Sequence, residues 1–488
     1  MSRGGCVGVW VVDTCRCGCL GGGHVPVSGC IASPSRGFSA DLSIGPPLPS
    51  IRGRIGVAYI RGVRQCSSGS TALSQLNRSI MTSHTFATSA PGKVIIFGEH
   101  SAVYGKPAVA ASASSMRSYL LVQPGEQSAV SLHCPDIHLD ISWELAQLNK
   151  IESVHTLGEK LNPRLTSAIT TLLEEQKLPQ LQHSAALCFL YLYLSIVPSG
   201  DRTPTRFTLR STLPVGAGLG SSASVSVAVA QACLTLCSST GISPPLRDSV
   251  NDWAFVGEMC IHGDPSGIDN AIATHGGALL FAKDSPEPPR RLVPPCPIVT
   301  VLTYTGIPRS TKTLVAGVRS RYEAEPAIFG PLLDSMGALA LRGCKALEEG
   351  DLAKVLELVQ VCHGQLVSLG VSHPGLEVVR VLTDELQLGQ TKLTGAGGGG
   401  CSLTLLSAEA QEAQVARFKN ELQERYGYKT FETALGGSGC SIVDMDAEGI
   451  DPLTRQTVLD IFAKQDASRE ELDNWLLPDG PTSLPWQF

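Results

Sequence analysis

The feature that most limits how this chain can fold is the stretch LPVGAGLGSSASVSVAVA, residues 213–230, where three glycines and two serines precede a run of small apolar side chains. Ahead of it TRFTLRSTLP, residues 205–214, reads as a strand ending at Pro214. Behind it residues 221–236 read as one helix of small side chains. A helix start offers free N–H groups and about half a positive charge to whatever lies above it. Glycines let an anion approach those amides closely, so Gly216, Ala217, Gly218, Leu219, Gly220, Ser221 and Ser222 form a candidate phosphate loop. A tight turn closed by a serine cap is the plainer alternative.

Two other glycine segments fit nucleotide loops less well. In GEHSAVYGKP the gap between Gly98 and Gly105 is too long for a Walker loop, and Pro107 stands where a metal-binding Ser or Thr belongs. GAGGGG, residues 395–400, satisfies G-x-G-x-x-G, but a strand-like CSLTLL follows it where the dinucleotide fingerprint needs a helix.

Composition narrows the classes. With 488 residues, 43% hydrophobic and 17% charged, the chain can bury a sizeable core and suits two to four domains. A net charge of −6 provides no basic field, which argues against nucleic acid as a partner and favours a small molecule. The apolar runs LCFLYLYLSIV and SVSVAVAQACLTLC are too short or too interrupted to span a membrane and read as buried helices. Ten of the sixteen cysteines, Cys134, Cys188, Cys233, Cys237, Cys260, Cys296, Cys344, Cys362, Cys401 and Cys440, are scattered singly, a pattern of reduced thiols in a cytosol-like compartment.

The other six cysteines fall in a Gly-, Ser-, Pro- and Arg-rich opening with no lysine before residue 82. Residues 1–82 read as a disordered leader or a mis-assigned start, with Met81 as the working start and a targeting segment as the second alternative. Cys15, Cys17 and Cys19 lack the spacing of a zinc site. From residue 83 an α/β pattern begins, with strands expected at 94–97, 117–124, 128–134, 205–214, 298–305 and 400–407. Helices are expected at 157–176, 183–196, 221–236, over most of 312–370, and at 408–426. The Pro-rich segment 284–297 marks a domain boundary, giving domains 83–290 and 291–450. Residues 451–488 remain as a surface helix or loose tail.

PGKVIIFGEHSAVYGKPAVA, LPVGAGLGSSAS, HGDPSGIDNAIATHGGAL and KLTGAGGGGCSLTLL occur in the order and character of the GHMP kinases, and the chain resembles that family from about Ser89 to Ser441. FLYLYLSI, LVAGVRSR and LGVSHPGLE resemble the members that phosphorylate mevalonate. The resemblance implies a two-domain fold, an N-terminal α/β domain like ribosomal protein S5 domain 2 and a C-terminal ferredoxin-like α+β domain. It also implies ATP and mevalonate as substrates, Mg²⁺ as cofactor and a homodimer; the cytoplasm is the expected compartment, with the peroxisome as the alternative. Another alcohol or phosphate acceptor, or a sensor that binds ATP without transfer, is the alternative.

On the same resemblance Asp269 is the base that takes the proton of the attacking hydroxyl, and Lys93 is its cationic neighbour beside the transferring phosphoryl group. Ser222 and Glu258 match the Mg²⁺ ligands, which suits a hard cation that keeps phosphate and water in its remaining positions. Lys93, Asp136, Ser211 and the loop 216–222 match nucleotide contacts, and Glu99 and His100 lie near the mevalonate of family members. Taken singly, Asp269 could cap a helix, Glu258 could be solvated and Lys93 could snorkel. His262 reads as a packed histidine at a helix end. The chain departs from the family at Asp264 and Asp136, acids where relatives commonly carry Asn, and an ionised acid cannot donate a hydrogen bond. Ser101 replaces the usual end of a peroxisomal address overlapping KVIIFGEHS.

Overall fold

The structure, a computed structural model, describes residues 84–488 apart from 126–127, 154–156, 158–159, 239–240, 284, 286–288, 296, 479, 481 and 483. The leader expected over 1–82 lies outside the described residues.

The long strand β2 (Ala108–Pro124) organises the sheet. It pairs with β1 (Phe86–Phe97) along most of its length, with β5 (Thr205–Ser211) at one end, with β6 (Ala278–Phe281) at the other, and with β11 (Lys429–Leu435) through Leu435↔Ala113 alone. Sequence patterning marks only 117–124, because AVAASASSM has side chains too small to show alternation; these residues are nonetheless mostly buried strand. Likewise β1 begins at Phe86, eight residues before the expected strand. Its TSAPG segment carries turn-forming residues, and the register shifts between Pro91 and Gly92, a bulge position where proline is tolerated.

Beyond β5 the order runs through β3 (Ala129–Cys134) to β4 (Leu139–Glu144), while β12 (Ser441–Asp444) pairs with β1 and β7 (Arg290–Leu292) with β6. The Pro-rich segment read as a boundary therefore contains a strand stitched to the sheet. On the other side of β2 the order is β11, β8 (Ile298–Tyr304), β10 (Cys401–Leu406) and β9 (Gly389–Leu393), antiparallel throughout. With helices between β8 and β9 and between β10 and β11, this is the βαββαβ unit of a ferredoxin-like half. The α/β half followed by an α+β half is the architecture expected.

Helix boundaries follow local chemistry. The helix expected from 157 starts at Pro163, where Asn162 accepts hydrogen bonds from the amides of Arg164 (3.0 Å) and Leu165 (3.2 Å). The region 312–370 resolves into Thr311–Ala324, Pro326–Glu349 and Leu352–Ser368, interrupted before Pro326 and at Gly350, whose φ of 68° closes the second helix. Gln411, in a capping box with Gln414, starts the late helix at Glu412. In the N-terminal half, α1 (Gln180–Ile196) is buried along its whole C-terminal stretch from Cys188, and α2 (Ser221–Leu236) along most of its length. Small residues bring α2 against the sheet: Thr88 Oγ1 donates to the Ala228 carbonyl at 2.9 Å, and Ser224 Oγ donates to that of Ala90 at 2.6 Å.

The C-terminal segment is not loose. Helices Pro452–Ala463 and Arg469–Leu476, opened by Asp451 and Ser468 caps, bury Val458, Phe462, Leu472 and Leu476, joined by Trp486 beyond them, against Ala87, Tyr119, Leu121 and Val443. Nine described cysteines are unpaired and seven of them are buried, in keeping with reduced thiols. Among the described residues no helix is long and apolar enough to cross a membrane.

Candidate active site

The glycine loop is fixed to the sheet by a backbone bond from Lys93 N–H to the Leu219 carbonyl at 2.8 Å. Gly216, Gly218 and Gly220 have φ of 74°, 79° and 74°, left-handed conformations that glycine adopts without penalty. Gly220 occupies the N-cap of α2 and no side chain caps that terminus, so the first-turn amides remain available to an anion. A Cβ on Gly220 would stand 2.8 Å from Lys93 Cγ, so the bare backbone lets Lys93 lie across the loop.

Across from the loop, α3 (Arg247–His262) and the short helix α4 (Ile268–His275) supply the acids. Asp269 stands in the first turn of α4, after Gly267, and its Oδ1 lies 3.3 Å from Lys93 Nζ. This pair joins the catalytic candidates to the glycine loop. Glu258, on α3, is 3% exposed, and burial pushes its carboxyl up to about 7. A hydrogen bond from Ser222 and the charge of Lys93 oppose that shift, while Asp269 adds to it. Glu258, Ser222, Lys93 and Asp269 thus share one electrostatic environment. Glu258 Oε1 is buried without a hydrogen-bond partner. A carboxylate oxygen of that kind, beside a serine hydroxyl and a candidate phosphate loop, is what a hard cation requires, so the residues present fit Mg²⁺.

Other predicted residues lie elsewhere. Asp136 accepts the Ser211 amide at 2.7 Å and pairs with the fully buried Arg210 at 3.2 Å. Arg210 supplies a counter-charge to Asp136, although burial still raises the Asp136 carboxyl above its ordinary range. Ser211 Oγ lies 3.1 Å from Ser118 Oγ at the end of β5, two residues before the turn that leads into the loop. Glu99 differs from expectation. Its side chain is fully buried and paired with the equally buried Lys392, which closes it off from direct contact with a substrate. His100, left-handed at φ 61°, joins its Nε2 to the Ala396 carbonyl at 2.9 Å, while burial lowers its imidazole below the ordinary value.

Sequence reasoning missed Arg309. Its guanidinium donates to the carbonyl of Ala217 at 2.9 Å and to that of Thr394 at 3.3 Å, bridging the candidate phosphate loop and the residue that leads into the 395–400 segment. Side chains on Gly218 or Gly400 would meet it at 2.2 and 2.7 Å, so glycines in both loops make room for one cation. Among the described residues no carboxylate pairs with it. A single arginine in a GIPRS turn carries no motif, and only the fold reveals its position. His262, read as a packing residue, places Nε2 3.0 Å from Ser222 Oγ.

Known proteins match the chain over most of its length. The family models described as GHMP kinases N terminal domain and GHMP kinases C terminal match residues 185–277 and 345–427. The chain is 44% identical to "Mevalonate kinase" of Saccharomyces cerevisiae over 443 residues, covering 82% of this chain and 99% of that protein. It is 38% identical to the Homo sapiens "Mevalonate kinase", covering 74% and 96%. Among solved structures, the Methanococcus jannaschii mevalonate kinase superposes with TM-score 0.55 at 20% identity over 73% of this chain and 99% of that one. The L. major mevalonate kinase in complex with R-mevalonate gives 0.55 at 23%, covering 72% and 96%. Relatives 38–44% identical over most of their length, together with both family models, show that the chain belongs to the mevalonate kinase family of the GHMP kinases.

Proposed function

We propose that this chain transfers the γ-phosphoryl group of ATP to the 5-hydroxyl of mevalonate, giving 5-phosphomevalonate and ADP. The observation that carries this reading is the 3.3 Å pair of Lys93 and Asp269 beside an uncapped helix N-terminus. Asp269 accepts the proton as the hydroxyl oxygen bonds to the γ-phosphorus, while the bond from that phosphorus to the β–γ bridging oxygen breaks and its electron pair leaves on ADP. Lys93 offsets the charge spread over the transferring group and orients the Asp269 carboxylate. The amides of the loop 216–222 cradle the phosphates, and Arg309 adds a cation that no carboxylate among the described residues pairs with. Ser222 and Glu258 would hold Mg²⁺, which neutralises phosphate charge when bound.

Asp136 and Ser211 belong to the nucleotide side of the site. On the acceptor side His100 is the residue nearest to expectation, with Glu99 supporting it from within the core. Assembly as a homodimer is part of the same proposal and rests on the family resemblance.

The test is to incubate the purified protein with ATP, Mg²⁺ and a panel of acceptors comprising mevalonate, phosphomevalonate and galactose, and to identify products by ³¹P NMR and mass spectrometry. Phosphorylation of mevalonate in strong preference to the others is expected. Preference for another acceptor would overturn the substrate assignment, and ATP binding without turnover of any acceptor would favour a sensor.

A further inference from the structure

Glu258 and His262 are four residues apart on α3, hence neighbours on one helix face, and both address the hydroxyl of Ser222 in the first turn of α2. Glu258 is buried and leaves one oxygen without a partner, whereas His262 is exposed as the last residue of α3 and places Nε2 3.0 Å from Ser222 Oγ. The hydroxyl lies between a carboxylate and an imidazole.

A serine hydroxyl has one proton and two lone pairs. To ligate a cation it must present a lone pair, and its proton needs an acceptor elsewhere. Without a cation Glu258 can take that proton, but a cation held by Ser222 and Glu258 lies between the two and turns the serine's lone pairs, not its proton, toward the carboxylate. His262 Nε2 is the other group within hydrogen-bond distance of Ser222 Oγ. An imidazole protonated on Nδ1 accepts there and fixes the rotation of the hydroxyl.

We propose that His262 is a positioning residue for the cation site: it accepts the Ser222 proton and so presents the serine oxygen's lone pairs on the Glu258 side. The inference rests on the assignment of Ser222 and Glu258 to Mg²⁺ in the proposed function. It gives an exposed helix-end histidine a role that neither periodicity nor composition indicates. Partners that orient a metal ligand commonly contribute about 10- to 100-fold to metal affinity.

The test measures Mn²⁺ binding in the presence of ADP, without turnover, by electron paramagnetic resonance of free Mn²⁺, for wild type, His262→Ala, His262→Gln and Ser222→Ala. His262→Ala is expected to weaken Mn²⁺ binding about 10-fold or more, with an unchanged unfolding midpoint. His262→Gln, whose side-chain carbonyl can accept the same proton, is expected to recover most of the loss. In steady-state assays the His262→Ala defect is expected in the Mg²⁺ concentration for half-maximal rate, with the mevalonate KM unchanged. Wild-type Mn²⁺ affinity in His262→Ala alongside a weakened Ser222→Ala would overturn the role of His262. Failure of Gln to rescue a folded His262→Ala defect would also overturn it. Wild-type affinity in both alanine variants would instead refute the metal-site assignment on which the inference stands.

Discussion

The buried pair of Glu99 and Lys392 makes a sharp prediction, because it separates a structural carboxylate from a substrate ligand. Both side chains are fully buried, and the Cys362 thiol also donates to Glu99, its Sγ 3.9 Å from Oε2. Lys392→Met leaves the carboxylate in the core without its cation, and breaking a buried pair by removing one partner costs about 3–5 kcal/mol. Glu99→Leu strands the ammonium, for a similar cost. Replacing both with apolar residues of comparable volume removes the unpaired charge and is expected to bring stability back to within about 1–2 kcal/mol of wild type. Urea unfolding of the four proteins closes a double-mutant cycle, and the expected coupling is several kcal/mol. The reasoning is refuted if each single substitution stays within about 0.5 kcal/mol of wild type. It is equally refuted if the double variant is no more stable than the singles. A Glu99→Gln variant with an unchanged unfolding midpoint and a raised mevalonate KM would restore Glu99 as a direct ligand.

Two further predictions concern the loop and the pH dependence of stability. Gly220→Ala and Gly216→Ala impose the same left-handed strain, about 1–2 kcal/mol each, at φ 74° in both cases. Only at Gly220 does the added carbon meet Lys93, at 2.8 Å from Cγ, while Gly216 faces open space. Kcat in Gly220→Ala should therefore fall about 10²-fold further than in Gly216→Ala, as a displaced catalytic group predicts; equal losses in steady-state assays would refute the role of Lys93. Burial holds the His363 imidazole below its ordinary value, against the opposing charge of Glu377, and its Nδ1 accepts the Leu393 amide at 3.3 Å. Below about pH 6.5 the unfolded chain takes up a proton that the folded chain refuses, so this group favours the folded state above that pH and costs stability as pH falls through it. Unfolding midpoints of wild type should fall with acidification more steeply than those of His363→Gln, and parallel curves would contradict the assignment.

Much of the site was legible in the sequence because local chemistry fixes it. A tight loop that exposes its amides ahead of a helix requires glycines at positive φ and a helix directly after them, and the candidate phosphate loop GAGLGSS has both. The helix starts at Asn162, Asp451 and Ser468 rest on equally local chemistry, short polar residues satisfying nearby amides, yet hydrophobic spacing alone put the first at 157 and left 451–488 as a surface helix or loose tail. Features that depend on distant segments were not legible. Small residues between Ala108 and Met116 carry no alternation, yet pairing with β1 and β6 makes them strand. The motif holding Glu99 is recognisable in isolation, but its burial depends on Lys392, nearly three hundred positions away. Arg309 gains importance only because folding places the 216–220 and 395–400 turns on either side of it. The C-terminal segment lacked a visible partner in sequence because the apolar surface it covers belongs to strands β1, β2 and β12.

The central claim is that Asp269, held by Lys93, removes the proton of the attacking hydroxyl while the loop holds the nucleotide independently. Single-turnover phosphorylation of mevalonate with enzyme in excess, comparing wild type with Asp269→Ala and measuring ATP binding to each in parallel, tests it most directly. The expected result is a transfer rate lower by about 10²- to 10⁴-fold with ATP binding retained. A variant that binds ATP and transfers phosphate at the wild-type rate would contradict the account.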